Sequence, residues 1–205
     1  MIKNLFLTKT RPSKYLFYYK LYKNIKLLEP IESLVDFACG EMRILSKITP
    51  AYYLGVDVLD NRIKKGLKTF PNANGIVSKI QDFNTKEKFQ VVVCIQAIGI
   101  NSWFETDQSF EIVKKLVKTT KVNGHLLFNI GPFLVNKDKA IVEKIENLLN
   151  KNFVEVDRFI YGRWSNRYPK IISILLFYIM LLFPFFRCKS DHKWIYYNCK
   201  NSNKF

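Results

Sequence analysis

The chain has 205 residues, 48% of them hydrophobic, which is enough to bury one proper core and too little for two comfortable ones. Lysine and arginine outnumber aspartate and glutamate by 33 to 17, giving a net charge of +16. That excess directs attention to an anionic partner such as nucleic acid, a phosphorylated substrate or a lipid surface, although scattered lysines also fit a plain solvated surface.

The amino end, "MIKNLFLTKTRP", offers only Leu5, Phe6 and Leu7 before basic residues return, too short for a signal-peptide core, so export is not expected. Residues 13 to 28 carry apolar side chains at helical spacing, with Ser13 as a candidate cap and Glu29-Pro30 as the stop. "SLVDF" reads as a buried strand, "RILSKI" as a helix stopped before Pro50, and "YYLGVDV" as a second strand. A basic helix from about Leu59 to Phe70, a turn in "PNANG" and a third strand in "GIVSKI" follow.

"FQVVVCI" is the strongest strand signal, because three consecutive valines suit a central parallel strand covered on both faces. A helix is predicted over 108–119 and a strand over "GHLLFNI". Next, "KDKAIVEKIENLLNKN" places Ile141, Ile145, Leu148 and Leu149 on one helical face. Two alternating segments, "FVEVDRFI" and "KWIYYNC", close the chain. Strands alternating with helices predict an α/β, Rossmann-like, doubly wound and mainly parallel sheet, with ligands outside the carboxyl ends of its strands.

The cysteines, Cys39, Cys94, Cys188 and Cys199, form no CxxC pair and no disulfide framework, which fits a reducing compartment. Cys188, His192 and Cys199 lack a fourth ligand at zinc spacing, so no metal is expected.

Asp36 ends the first strand, a small-residue loop follows, and Asp57 ends the second strand about twenty positions later, the arrangement of a nucleotide-type pocket. Taken in order, "VDFACGEMR", "YLGVDV", "IQDFN" and "FQVVVCIQAI" resemble the successive motifs of class I S-adenosylmethionine-dependent methyltransferases. The resemblance runs from about Ser33 to "HKWIYYNC" and implies an antiparallel terminal strand. It also implies S-adenosyl-L-methionine as cofactor. Asp36 would lie near the amino end of the methionine moiety, with the backbone of Ala38, Cys39 and Gly40 beneath it. Asp57, with Val58 beside it, would hold the ribose. Asp82 would face the adenine amino group, Phe83 would supply a backbone contact or ring wall, and Cys94, Ile95 and Gln96 would line the far side.

Two positions depart from the family pattern: Ala38 stands where glycine is usual, and Met42 where a third small residue often stands. Added side chains limit how closely a backbone approaches a ligand, so a fold without turnover is one alternative. An NAD-dehydrogenase reading fits less well, since "ACGEMR" is not GxGxxG. Taken alone, Asp82 in "QDFN" reads as a turn cap.

Methyl transfer from a sulfonium needs no obligatory base. Where many relatives carry an acid-His pair, this sequence has Gly99 and Ile100. Glu105 and His125 remain as acid-base candidates, with His125 opening a strand where a packed histidine is the simpler reading.

Residues 171–186, "IISILLFYIMLLFPFF", carry no charge yet fall short of the roughly twenty residues of a spanning helix, and Pro184 interrupts the end. If the strands on either side pair, the run leaves and returns on one side. Arg163, Arg167 and Lys170 before it, and Arg187, Lys189 and Lys193 after it, suit an interfacial or re-entrant segment. A buried core helix or dimer contact is the alternative.

An apolar insertion before the final strand resembles, more loosely than the cofactor motifs do, those of the class I methyltransferases associated with bacterial surface-polysaccharide or lipid-linked precursor synthesis. The expected organisation is a leading helix (1–30), a cofactor core (31–160), a basic and apolar insertion (161–193) and a terminal strand with tail (194–205). The expected function is methylation, through an acceptor hydroxyl, of a glycan, glycolipid or other lipid-linked small molecule by a cytoplasmic enzyme peripheral on the inner face of the cell membrane. RNA is the alternative acceptor, although no RNA-binding module or Asn-Pro-Pro-type tetrapeptide follows "VVVCI".

Overall fold

The computed structural model describes residues 9–100, 106–162, 166–187 and 193–201, Thr106 by its backbone alone. In chain order the strands are β1 (Lys9–Thr10), β2 (Ser33–Phe37), β3 (Tyr52–Asp57), β4 (Asn74–Val77), β5 (Phe89–Ile98), β6 (Thr120–Ile130), β7 (Glu155–Tyr161), β8 (Tyr168–Pro169) and β9 (Trp194–Lys200). The helices are α1 (Pro12–Lys26), α2 (Asp60–Thr69), α3 (Thr106–Thr119), α4 (Pro132–Lys137), α5 (Lys139–Asn152) and α6 (Lys170–Leu182), with short 3₁₀ turns at Arg43–Ser46 and Pro184–Phe186.

Seven strands form one sheet in the order β4-β3-β2-β5-β6-β9-β7. β4, β3, β2, β5 and β6 are mutually parallel, and β9 runs antiparallel to both β6 and β7. From β2 the chain winds outward through β3 to β4, then crosses to β5 on the other side of β2. The switch in strand order therefore lies between β2 and β5, where a crevice opens beyond their carboxyl ends.

The valine run shows why this sheet is covered on both faces. Side chains alternate along a strand, so Val92 and Cys94 pack with Ile112, Val113 and Leu116 of α3 and with Ile141, Ile145 and Leu149 of α5. Val91 and Val93 face the other way, toward Leu16, Phe17, Leu21 and Ile25 of α1, Ile63 of α2 and Met180 of α6. Each fully buried side chain of this size contributes roughly 1.5–3 kcal/mol, which ties both helix layers to one strand.

Several expectations about local structure are corrected. Ser13 does not cap α1: Arg11 occupies the cap position without a side-chain bond, Pro12 supplies the first turn, and Ser13 is buried. "RILSKI" yields only the turn Arg43–Ser46, because Met42 enters it in the left-handed conformation and Lys47 already leaves helical geometry. The helix read from Lys137 begins after a break at Asp138, whose carboxylate accepts from the Ile141 N–H at 3.0 Å. The preceding α4 was not foreseen.

Nor was the ladder pairing β1 with β8, which fastens the start of the chain to the entrance of the apolar insertion. Ser173 reinforces it, its hydroxyl lying 3.0 Å from the Thr10 carbonyl and 3.3 Å from that of Tyr168. Because β7 and β9 are neighbours, the insertion does leave and return on the same edge of the sheet. Among the described residues no helix is long and apolar enough to cross a membrane. One face of α6 packs on α1, with Phe177 edge-on to Tyr19 at 5.7 Å. Arg187 turns inward instead of outward, its guanidinium donating to the carbonyls of Met180 and Leu181 at 2.7 and 3.1 Å. Arg163, Lys189, Cys188 and His192 lie outside the described residues, and Cys199 is buried in β9.

Candidate functional site

The loop after β2 alternates between ordinary and left-handed backbone, with φ near +58° at Ala38, +55° at Gly40 and +57° at Met42. This winding turns successive peptide groups toward β3. The Cys39 N–H donates to the Val56 carbonyl at 3.2 Å, and the Gly40 N–H donates to Asp57 Oδ2 at 2.9 Å. The other oxygen of Asp57 accepts from the Leu59 N–H at 2.9 Å. Asp57 thus joins the loop after β2 to the start of α2.

Met42 does not enter the crevice. Its side chain is fully buried in the opposite direction, in a slot that exists because Gly55, Gly66 and Gly75 lack side chains. A Cβ at any of the three would meet Met42 atoms at 2.9–3.1 Å.

Beyond the loop lies a cavity of about 300 Å³. Its floor is Asp36 with Ala38, Cys39 and Gly40, its far side is Val93, Ile95 and Gln96, and its roof is Lys14, Tyr18 and Tyr22 of α1. Glu41, Arg43 and Arg62 stand at the rim. Lys65 and Arg43 bond to Glu41 and hold its carboxyl down at about 2.

Asp36 is 6% exposed and accepts a hydrogen bond from the Tyr53 hydroxyl at 3.1 Å. Burial pushes its carboxyl up to about 7, against the opposing pull of Tyr53 and with a further push from Asp57. Among the described residues no cation pairs with it. Tyr18 and Tyr22 above it are also raised, by burial first and by the nearby Asp36 charge, Tyr22 to about 12. Burial raises the Cys39 thiol as well, which favours its protonated form.

The far side is set by a break in the β5–β6 register between Cys94 and Ile98, where Gln96 adopts φ near +56°. The Gln96 N–H donates to Asn129 Oδ1 at 2.7 Å, and Asn129 Nδ2 donates to the Tyr161 hydroxyl at 2.9 Å. Tyr161 stacks on Phe17 at 5.3 Å. A fully buried asparagine on β6 therefore holds the kink that turns Gln96 into the cavity.

No protein-family model and no curated protein matches the chain. Solved structures do. The N-methyltransferase NodS from Bradyrhizobium japonicum WM9 superposes with a TM-score of 0.62 at 14% identity, over 91% of this chain and 97% of NodS. The magnesium protoporphyrin IX methyltransferase ChlM from Synechocystis PCC 6803, with bound S-adenosylmethionine, gives 0.60 at 12% identity, over 92% and 79% of the two chains. The plantazolicin methyltransferase BpumL in complex with S-adenosyl-L-homocysteine gives 0.55 at 15%, over 93% and 82%.

The fold is that of the class I methyltransferases.

Within this methyltransferase fold, the residues singled out in the sequence are partly brought together. Asp36, Ala38, Cys39, Gly40, Ile95 and Gln96 line one cavity, and Asp57 is bonded to its floor. Val58 is 56% exposed beside that floor. Cys94 is fully buried below it. Asp82 is exposed and lies outside the lining, and Phe83 packs edge-on against Phe37 at 5.4 Å in the core. Lys115 fixes that segment by donating to the carbonyls of Gln81 and Phe83.

His125 pairs with Val91 and Lys200, toward the opposite end of the strands from the cavity, and burial with the nearby Lys200 lowers its pKa. Glu105 lies outside the described residues. The roof of α1 and the Asn129 support were not singled out. Tyr15, Tyr18, Tyr19 and Tyr22, at helical spacing on one face, were the available signal.

Proposed function

We propose that the chain is an S-adenosyl-L-methionine-dependent methyltransferase that works on the inner face of the cell membrane and methylates a hydroxyl of a glycan, glycolipid or other lipid-linked acceptor. The observation that carries this reading is Asp36: a buried carboxylate without a cationic partner among the described residues, facing a cavity at the switch point of a methyltransferase fold. Such a charge is costly unless a cation arrives to pair with it.

The donor set fits the cofactor. Asp36 would accept from the ammonium group, while Lys14, Arg43 and Arg62 at the roof and rim would offer counter-charge to the carboxylate. Each Asp57 oxygen already accepts one backbone N–H, which leaves a lone pair on each for the ribose hydroxyls. Gly40 leaves the floor low, since a Cβ there would meet nothing closer than Arg62 at 3.8 Å. When bound, the cofactor supplies an electrophilic methyl group on a sulfonium. Tyr18 and Tyr22 roof the cavity and would exclude water and restrict the approach of an acceptor, contributions that need no protein base.

The membrane part of the reading rests on α6. Leu175 and Leu182 on α6, opposite Phe177 at helical spacing, are 61 and 70% exposed, and Phe185 in the following 3₁₀ turn is 70% exposed, a larger apolar surface than single exposed residues leave. Arg167 and Lys170 at its start provide charge complementary to anionic headgroups.

Incubating the full chain with methyl-labelled cofactor and a membrane lipid extract tests the whole reading. Label is expected in the organic phase with the unmodified chain and not with Asp57→Ala. Label in no fraction would contradict the activity, and label confined to added RNA would contradict the lipid-linked acceptor.

A further inference from the structure

A second cavity, of about 830 Å³, adjoins the first between α1 and the entrance of the insertion. Lys14, Tyr18 and Tyr22 line both, so the two spaces share a wall made by a single helix. Five of the eleven residues around this chamber are cations, Lys9, Arg11, Lys14, Lys47 and Arg167, against 33 of 205 in the whole chain. No carboxylate lines it. Among the described residues Lys9, Arg11, Lys47 and Arg167 have no carboxylate partner, as is also true of Lys86 and Lys144 elsewhere on the surface, so it is the gathering of five cations in one chamber that sets this place apart. Positive charge is gathered here with no carboxylate in the lining to offset it.

The other walls are aromatic. Tyr18 and Tyr22 stack at 5.6 Å with 25° between their planes, and Tyr19 closes against Phe177 of α6. Tyrosine faces suit the apolar face of a sugar ring or an alkyl chain, and their hydroxyls donate to anionic oxygens.

We infer that this chamber is the acceptor subsite and that it binds a phosphate or diphosphate group of the acceptor, placing the reacting hydroxyl past Tyr18 and Tyr22. The inference rests on the proposed cofactor reading. A single carboxylate would leave most of the five cations unmatched. A phosphate monoester brings close to two negative charges on three acceptor oxygens, and a diphosphate linking two groups brings two charges on four, which both lysines and forked guanidinium groups satisfy. The chamber reaches α6 through Phe177, so a tail attached to the phosphate has an apolar surface to follow.

Titration calorimetry on the full chain tests this, with glucose 1-phosphate and decyl phosphate as probes, decyl glucoside as the uncharged control and S-adenosyl-L-homocysteine in the same samples. Lys47→Gln/Arg167→Gln alters the chamber without touching the first cavity, and Lys86→Gln/Lys144→Gln removes equal charge elsewhere. Phosphorylated probes are expected to bind, decyl glucoside not, and the chamber pair to weaken phosphate binding at least tenfold while S-adenosyl-L-homocysteine binding stays within twofold.

Equal affinity for the two phosphates would assign a soluble phosphorylated acceptor, and tighter decyl phosphate a lipid phosphate; both support the subsite. Absence of phosphate binding, or equal weakening by the distant pair, would overturn the inference and leave the cofactor reading standing. Phosphate binding without S-adenosyl-L-homocysteine binding would overturn the acceptor role through failure of the cofactor reading itself.

Discussion

Asp36 carries the chemistry of the site in its titration. Its folded pKa of about 7 lies above the ordinary 3.8, so the folded chain holds this proton more tightly than the unfolded chain does. The stabilising contribution is fully present below 3.8, declines as pH rises and is gone above about 7. At 1.36 kcal/mol per pH unit, that window spans up to about 4 kcal/mol. Denaturant unfolding at a series of pH values is therefore expected to show the unmodified chain losing stability relative to Asp36→Asn from pH 4 to 7. A constant difference would contradict the burial of this carboxyl.

A cofactor ammonium needs the ionised form, so affinity for S-adenosyl-L-homocysteine should rise as pH approaches and passes 7, and should lose that rise in Asp36→Asn. At Ala38, φ near +58° costs an alanine roughly 1–2 kcal/mol, partly offset by the extra freedom glycine has when unfolded. Ala38→Gly should then leave stability unchanged or raise it by up to about 1 kcal/mol, measured by the same unfolding; a clear loss would show that the methyl group is needed.

Asp36 and Asp57 were legible in the sequence because each ends an apolar run at a strand terminus. Asp82 and Phe83 were read from a motif, but their backbone is held by Lys115 across a gap of more than thirty residues, a bond that no local pattern announces.

At the level of elements, the central strands were plain because continuous Val, Ile and Leu runs have no other stable use in a sheet covered on both faces. The reason for Met42 was not plain, because the three glycines that admit it sit on β3, α2 and β4, far apart in the chain. Gly66→Ala should cost about 1–3 kcal/mol by crowding Met42, and Met42→Ala about 2–5 by leaving a cavity. Made together they should cost less than the sum, since each relieves the other. Strict additivity in denaturant unfolding would contradict the slot. Helix α1 was read correctly as amphipathic, yet its tyrosine face was passed over. An apolar stripe explains why a helix packs, and nothing local says that a second stripe roofs two cavities.

For the whole molecule, alternation of strands and helices disclosed the fold class, while the ladder of β1 with β8 rests on pairing over about 160 residues and on strands of two residues each. That ladder brings Lys9 and Arg167 to one chamber, so the charge read as scattered in sequence is concentrated in space. The apolar insertion was legible as a helix too short to span, and its outward face is what remains after α1 has covered the other side. Leu175→Ser/Leu182→Ser/Phe185→Ser is expected to abolish flotation with vesicles containing anionic lipid while thermal unfolding shifts by no more than a few degrees, because these side chains are exposed. Retained flotation would contradict docking through α6.

The proposed activity and the acceptor subsite both depend on the crevice between β2 and β5 holding the sulfonium cofactor. The most direct measurement is titration calorimetry of the full chain with S-adenosyl-L-methionine, with NAD as the control. Saturable binding of S-adenosyl-L-methionine in the micromolar range, with none of NAD, is the expected result. Absence of S-adenosyl-L-methionine binding to the folded chain would contradict the cofactor site and leave a methyltransferase fold without its chemistry.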